Sequence, residues 1–396
     1  MIVQPKFRGF ICTTAHPVGC SAHVKRQIDY IKEQKPLSGM KNVLVIGAST
    51  GYGLASRITA AFGAGANTIG VFYDRPASEN RTATAGWYNT AAFEQEAHRA
   101  GLYAKSVNGD AFSDTVKGQV ADLIKTDLGA VDMVIYSIAA PRRTDPVDNQ
   151  TYNSVLKPIG KPFHGKTVDF HTGQVAETTI EPASDLEINA TIKVMGGEDW
   201  WLWMKTLLEN NVLSKNCVTL AYSYVGPEIT YPVYRDGTIG QAKEHLEATA
   251  GELNRMLEEI SGKAYVSVNK ALVTQSSAAI PVVPLYVSLL YKVMKDKGLH
   301  EGCIEQIYRL FAEKMAGPEV ERDAEGRIRL DDWELRSDVQ LQVQKLWEQV
   351  RSDNIHELSD LEGFRTDFFR LFGFEFPEVD YAQDVDVYVA IPSIDA

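Results

Sequence analysis

The chain has 396 residues, 44% of them hydrophobic and 23% charged, with a formal net charge of -12. That length buries a large core and allows two or three domains or one long α/β unit. The acidic surface repels nucleic acid and anionic membrane, which are set aside as partners. The four cysteines (Cys12, Cys20, Cys217 and Cys303) include no Cys-x-x-Cys pair, and the eight histidines show no metal spacing, so reduced, partly buried thiols are expected.

Residues 1–40 lack the long apolar core of a secretory signal, which points to a cytoplasmic protein. They hold a short apolar stretch, Gly9 to Cys12, and a turn-like Ala15-His16-Pro17-Val18-Gly19, and are expected to form an N-terminal cover. The most informative segment follows. Asn42 to Ile46 reads as a strand, Gly47-Ala48-Ser49-Thr50-Gly51-Tyr52-Gly53 as a glycine-rich turn, and about 52–63 as a helix. Strand, glycine turn and helix in that order are the recipe for holding a dinucleotide diphosphate. The glycines let the backbone approach the phosphates, and the helix N-terminus aims free N–H groups and its positive dipole end at them. The spacing is Gly-x-x-x-Gly-x-Gly, so the neighbouring sequence has to support it. Residues 67–73 read as the next strand, and Asp74 closes it, about 20 residues past the turn, where an NAD ribose hydroxyl is bound.

Further strands are expected at 102–107, 131–136, 217–222 and 264–268, with helices at about 87–100, 113–127, 197–210, 239–260 and 278–297. Short apolar runs such as Asp132-Met133-Val134-Ile135-Tyr136 suit strands covered on both faces. Right-handed crossovers then give an α/β fold, a Rossmann-type doubly wound parallel sheet. Residues 141–195, rich in Pro, Thr, Asp and Gly, form an insertion after strand four. The whole chain, 1–396, is taken as one extended unit: cover 1–40, dinucleotide-binding core 41–275, and substrate-side and C-terminal helices 276–396.

Trp200, Trp201 and Trp203 on a helix are expected in the core. The charge run Glu319 to Asp338 is expected to be a solvated loop and helix face. Ala278 to Val293 is the most apolar stretch, but it contains Pro281 and Pro284 and is too short to span a bilayer. It is either a pocket wall or plain core, and both readings stand. Ile280, Val283, Leu285, Leu289 and Leu290 are its candidate wall residues.

Tyr234 and Lys243 are the second anchor. They follow the fifth strand, beyond Ser223-Tyr224-Val225-Gly226-Pro227. A phenol there can donate to a substrate oxygen as charge develops, and a nearby ammonium favours the charged form of the phenol, lowering its pKa. Tyr and Lys are common residues, so their place after strand five of a dinucleotide fold is what gives the pair weight.

With the glycine turn, Tyr234-x8-Lys243 resembles the short-chain dehydrogenase/reductase superfamily in a long form. The eight-residue gap resembles its trans-2-enoyl-CoA reductase and V-type bacterial enoyl-ACP reductase branch. The likeness extends over Gly86-Trp87-Tyr88-Asn89, Gly109 to Asp114, Val194 to Trp200 and His300 to Gln306, and so over essentially the whole chain. The resemblance implies NADH-dependent reduction of the trans-2 double bond of an enoyl-CoA or enoyl-acyl carrier protein in fatty acid biosynthesis, by a monomer.

Residue by residue, the resemblance implies that Gly47, Ala48, Ser49, Thr50, Gly51 and Tyr52 cradle the diphosphate, and that Tyr73 and Asp74 meet the adenosine ribose. Asp110 and Ala111 contact the adenine, Ile138 and Ala139 lie along the cofactor, and Leu272, Val273 and Thr274 face the nicotinamide end. Tyr234 and Lys243 are catalytic, Lys243 also holds the cofactor ribose, and Tyr224 is a second hydroxyl at the substrate. Many members carry a second lysine directly after the first; this chain has Glu244. A carbonyl reductase of the same superfamily and a non-catalytic NAD-binding regulator remain the alternatives.

Overall fold

The computed structural model describes all residues except 9, 10, 276, 278, 279, 281, 318, 395 and 396. The expected helix over 278–297 therefore begins partly outside the described residues. Seven parallel strands form the central sheet: β1 (Asn42–Ile46), β2 (Asn67–Phe72), β3 (Ala104–Asn108), β4 (Val131–Tyr136), β5 (Leu213–Ser223), β6 (Lys263–Val268) and β7 (Ile328–Arg329). Their spatial order is β7-β6-β5-β4-β1-β2-β3, and every pairing is parallel. The order reverses between β1 and β4, and a ligand crevice opens outside the carboxyl ends of strands at such a switch point. Val43, Leu44, Val45 and Ile46 are all fully buried, as a strand covered on both faces requires.

The helices are α1 (Pro17–Glu33), α2 (Gly51–Ile58), α3 (Ala85–Arg99), α4 (Asp114–Asp127), α5 (Asp185–Met195), α6 (Glu198–Glu209), α7 (Thr238–Met256) and α8 (Val283–Asp296). The C-terminal part adds α9 (Cys303–Arg309), α10 (Ser337–Gln349), α11 (Ile355–Leu358) and α12 (Leu361–Arg370). The expected helix to residue 63 stops at Ile58, and Thr59–Gly63 continue it as a wider π turn. Trp200 and Trp203 are fully buried core residues. Among the described residues no helix is long and apolar enough to cross a membrane.

Several segments depart from expectation. The turn-like Ala15 to Gly19 is the start of α1: His16 caps it by accepting from the Gly19 N–H at 3.2 Å through Nδ1, with Pro17 in the first turn. The insertion contains two antiparallel hairpins, Arg142–Thr144 with Thr151–Asn153 and Phe163–Asp169 with Gln174–Ile180, and then α5. β5 begins at Leu213, ahead of the expected 217, because a register shift between Leu213 and Val218 separates its first pairing from the rest. Asn216 has a φ of 62° there.

The charge run over 319–338 is the clearest correction. β7 joins the sheet edge from within it, and Ile328, Leu330, Asp331 and Glu334 are fully buried. Charges can enter the interior when they are paired. Arg329 holds Asp331 through two bonds of 2.8 and 2.6 Å. Arg309 holds Glu301 through two bonds of 2.8 Å and reaches Asp332 at 2.9 Å. The C-terminal segment then returns across α3. The Val389 carbonyl accepts from Trp87 Nε1 at 2.7 Å and the Val387 carbonyl from the Tyr88 hydroxyl at 2.8 Å.

Candidate active site

A cavity of about 980 Å³ lies at the carboxyl ends of the strands. Sixteen of the expected site residues line it: Gly47, Ser49, Thr50, Gly51, Tyr52, Tyr73, Asp74, Asp110, Ala111, Ile138, Ala139, Tyr224, Tyr234, Lys243, Leu272 and Thr274. Ala48 and Val273 do not. The Ala48 N–H donates to the Val71 carbonyl at 2.9 Å, the Val273 N–H meets the Tyr291 hydroxyl at 3.3 Å, and both side chains are buried.

The cofactor side is shaped by backbone approach. Gly47 has a φ of 88°, and a Cβ there would sit 2.1 Å from the Ser137 carbonyl oxygen; a Cβ on Gly53 would sit 1.9 Å from the Gly47 carbonyl oxygen. No side chain fits at either place. α2 starts directly after this turn, and no side-chain cap occupies its N-terminus. Its first-turn N–H groups are therefore available to an anion.

Asp74 is fixed from several directions. Its N–H donates to Asn108 Oδ1 and its carbonyl accepts from Asn108 Nδ2, both at 3.0 Å. Its carboxyl receives hydrogen bonds from Thr84 and Ser49, and burial raises its pKa in spite of them. Gly86 makes this possible: a Cβ there would lie 2.2 Å from Asp74 Oδ2 and 2.6 Å from Ser49 Oγ. The Ala111 carbonyl is already used by Lys117 Nζ at 3.1 Å and Trp203 Nε1 at 3.0 Å. Lys117 in turn pairs with buried Asp199 at 2.8 Å, which anchors this loop to α6. The glycine turn, the available helix N-terminus, the Asp74 carboxylate and the cavity volume together fit a nicotinamide dinucleotide.

Across the cavity from the turn stand partly buried polar side chains. The Tyr234 ring stands edge-on to the Tyr224 ring, with centroids 5.0 Å apart and planes at 90°. Lys243 Nζ donates to the Tyr222 carbonyl at 3.3 Å, and burial pushes its pKa down to about 8, opposed by Glu247. The expectation that the ammonium lowers the Tyr234 pKa meets a stronger effect. Burial first, and then the Glu334 charge, raise it. A raised pKa keeps the phenol protonated, which is the form that donates.

Three residues escaped the sequence reading. Lys270, 2% exposed, follows β6 and lines the cavity. Its Nζ donates to the Ala271 carbonyl at 3.0 Å, and burial pushes its pKa down to about 8. A lysine at the end of an apolar strand was the available signal. Glu334 and Tyr286 lie behind Tyr224 and gave no signal, one inside a charge run and the other inside an apolar run. The apolar segment itself divides. Ile280 and Val283 line the cavity while packing in the same core as Leu285, Leu289 and Leu290, which are fully buried and do not line it.

Comparison with known proteins agrees with this geometry. A family model described as the trans-2-enoyl-CoA reductase catalytic region matches residues 81–316, and the NAD(P)H binding domain of trans-2-enoyl-CoA reductase matches 2–79. A third, described as an enoyl reductase FAD binding domain, matches 322–385. That segment does not fit a flavin cradle: it contributes only Leu371 to the large cavity, and Phe364, Phe368 and Phe374 are packed into the core.

The trans-2-enoyl-CoA reductase [NADH] of Ruminiclostridium cellulolyticum is 62% identical over 394 residues, covering 100% of both chains. The enoyl-[acyl-carrier-protein] reductase [NADH] of Flavobacterium johnsoniae is 60% identical over 395 residues, again covering 100% of both. The crystal structure of Treponema denticola trans-2-enoyl-CoA reductase in complex with NAD superposes with a TM-score of 0.94 at 52% identity, covering 99% of this chain and 100% of that one. The chain belongs to the trans-2-enoyl-CoA reductase family.

Proposed function

We propose that the protein reduces the trans-2 double bond of an enoyl thioester, with NADH as reductant, to the saturated acyl thioester of fatty acid synthesis. The observation that carries this reading is a protonated, desolvated phenol, Tyr234, in the same cavity as the Gly47–Gly53 turn and the Lys243 ammonium. NADH, when bound, supplies a hydride to C3 of the enoyl group. As negative charge develops on the thioester oxygen, the Tyr234 hydroxyl donates to it in a site shielded from water, and such preorganised donors are usually the largest catalytic term. C2 takes a proton. Lys243 holds the cofactor ribose, and its charge favours the electron-rich oxygen beside Tyr234. Asp74 accepts from the adenosine ribose hydroxyls and repels a 2′-phosphate, favouring NADH over NADPH.

The test is NADH oxidation with crotonyl-CoA. Turnover supports the reading. Reduction of ketones without enoyl turnover would assign the Tyr–Lys pair to a carbonyl reductase, and NADH binding without either turnover would leave a non-catalytic regulator. The reading extends to either carrier, since relatives bear both names, and to a monomer, which sedimentation of the purified protein tests.

A further inference from the structure

Glu334 is fully buried, and a carboxylate is costly to bury unless its oxygens are satisfied. Here they are. Oε2 accepts from the Ala271 N–H at 2.7 Å. Oε1 accepts from the Tyr286 hydroxyl at 2.7 Å and from the Tyr224 hydroxyl at 3.0 Å. Gln340 Nε2 braces the arrangement, donating to the Glu334 carbonyl at 2.7 Å and to the Tyr286 hydroxyl at 3.2 Å.

This geometry has a consequence for the neighbouring tyrosine. A phenol has one proton to donate. Tyr224 gives its proton to Glu334, so only its lone pairs remain for a ligand in the cavity. The Tyr234 hydroxyl, by contrast, has no hydrogen-bond partner among the described residues, and its ring is held edge-on by Tyr224.

We infer that Glu334 is a positioning residue of the reduction: by taking the Tyr224 proton it fixes the polarity of the tyrosine pair, so that Tyr234 alone donates to the thioester oxygen. Ala271 ties this carboxylate to the loop after β6, which also carries Leu272 and Thr274 of the cavity wall. The segment matched to a flavin-binding description thereby contributes to the enoyl site through one side chain. The inference rests on the enoyl reductase reading above.

The charged and titratable groups around Glu334 are Lys270 after β6, Asp331 on its own segment, Tyr52 on α2, Tyr224 after β5, Tyr286 on α8 and Tyr234. Of these only Lys270 offsets the carboxylate with a positive charge. The negative charge of Glu334 holds the Tyr234 pKa up, so removing it should lower that pKa.

The experiment compares Glu334→Gln, Glu334→Asp, Tyr224→Phe and the double variant Glu334→Gln/Tyr224→Phe with crotonyl-CoA and NADH. In Glu334→Gln, kcat should fall about tenfold or more with the NADH Kd within about twofold of the parent. Glu334→Asp keeps the charge but withdraws it from Tyr224, so kcat should fall there as well. The double variant should be little worse than the poorer single variant, because both break one link.

Kcat within about twofold of the parent in Glu334→Asp, or in Glu334→Gln, overturns the inference. So does additive loss in the double variant. If Glu334→Gln does not fold, Glu334→Asp against Tyr224→Phe decides. A parent enzyme without enoyl turnover would instead defeat the underlying reading, so the two failures are distinguishable.

Discussion

The Gly47–Gly53 turn and the Tyr224–Tyr234 pair line one cavity by opposite means. At the turn the determining atoms are backbone: a carbonyl 2.1 Å from where a Gly47 Cβ would sit, another 1.9 Å from a Gly53 Cβ, and the N–H groups at the start of α2. Little there titrates, apart from Asp74. Across the cavity, Tyr224, Tyr234, Lys243, Lys270 and Glu334 are polar side chains whose pKa values burial displaces. One side presents shape and fixed dipoles, and its properties should hardly change with pH. The other presents groups with displaced pKa values whose protonation decides what they donate, and groups of this kind cluster at reacting centres. Steric changes should therefore break the first side, while near-isosteric changes that remove one hydroxyl or one charge should break the second.

Tyr234→Phe is the largest expected effect. The ring and its contact with Tyr224 remain, one hydroxyl is lost, and kcat should drop by about 10²-fold or more with NADH binding retained. Steady-state turnover beside NADH fluorescence titration checks this. Near-parental turnover in a folded variant would move the donor role away from Tyr234. Gly53→Ala is the counterpart on the backbone side. Its methyl meets a carbonyl oxygen that cannot move independently, so the turn must shift and the NADH KM should rise about tenfold or more. An unchanged KM would show that the turn is softer than its geometry implies.

The pH dependence of NADH affinity sharpens the contrast. The Lys243 ammonium has a pKa pushed down to about 8. It is charged below that value and neutral above it, so NADH affinity should weaken as pH rises through about 8. Lys243→Met should bind weakly at all pH values and lose this dependence. Lys270, also at about 8, is the competing source. If the dependence persists in Lys243→Met, Lys270 is the titrating group. Asp74→Ala should act more mildly, narrowing the preference for NADH over NADPH by several-fold, since one repulsion of the 2′-phosphate is removed. Arg75 beside it is retained, and competing kcat/KM values for the two cofactors read the change.

How far each side was legible in the sequence follows from the same physics. β1, β2 and β4 and the turn announce themselves, because a strand covered on both faces is a largely apolar run and a turn that admits no Cβ needs glycine. Tyr234 and Lys243 became visible only through their position after strand five. α1 stayed hidden because its cap is a histidine, outside the usual capping residues. The hairpin Phe163–Asp169 with Gln174–Ile180 stayed hidden because both faces are largely polar and leave no period. Glu334 was invisible for a deeper reason: a charge run reads the same whether its charges meet water or distant partners. Only folding brings Ala271, Tyr286 and Tyr224 to one carboxylate.

The smallest effect concerns the acyl end, where the sequence left pocket wall and plain core equally open. Ile280 and Val283 line the cavity, whereas Leu289 is fully buried in the core behind them. The two positions should separate under the same kind of truncation. Leu289→Ala deletes atoms packed on all sides, so it should cost about 2–5 kcal/mol of stability and leave chain-length preference flat. Ile280→Ala opens space into the cavity, where a longer acyl chain can refill it. Apolar walls discriminate weakly, about 1–3 kcal/mol per methylene at most, so kcat/KM should shift only modestly from crotonyl toward dodecenoyl thioester. Because the void adjoins a cavity, the loss in Tm should be smaller than for Leu289→Ala. Measuring Tm and the two kcat/KM values on both variants decides the matter. An unchanged substrate ratio in Ile280→Ala, with a Tm loss matching Leu289→Ala, would return Ile280 to the core and place the end of the acyl chain elsewhere in the cavity.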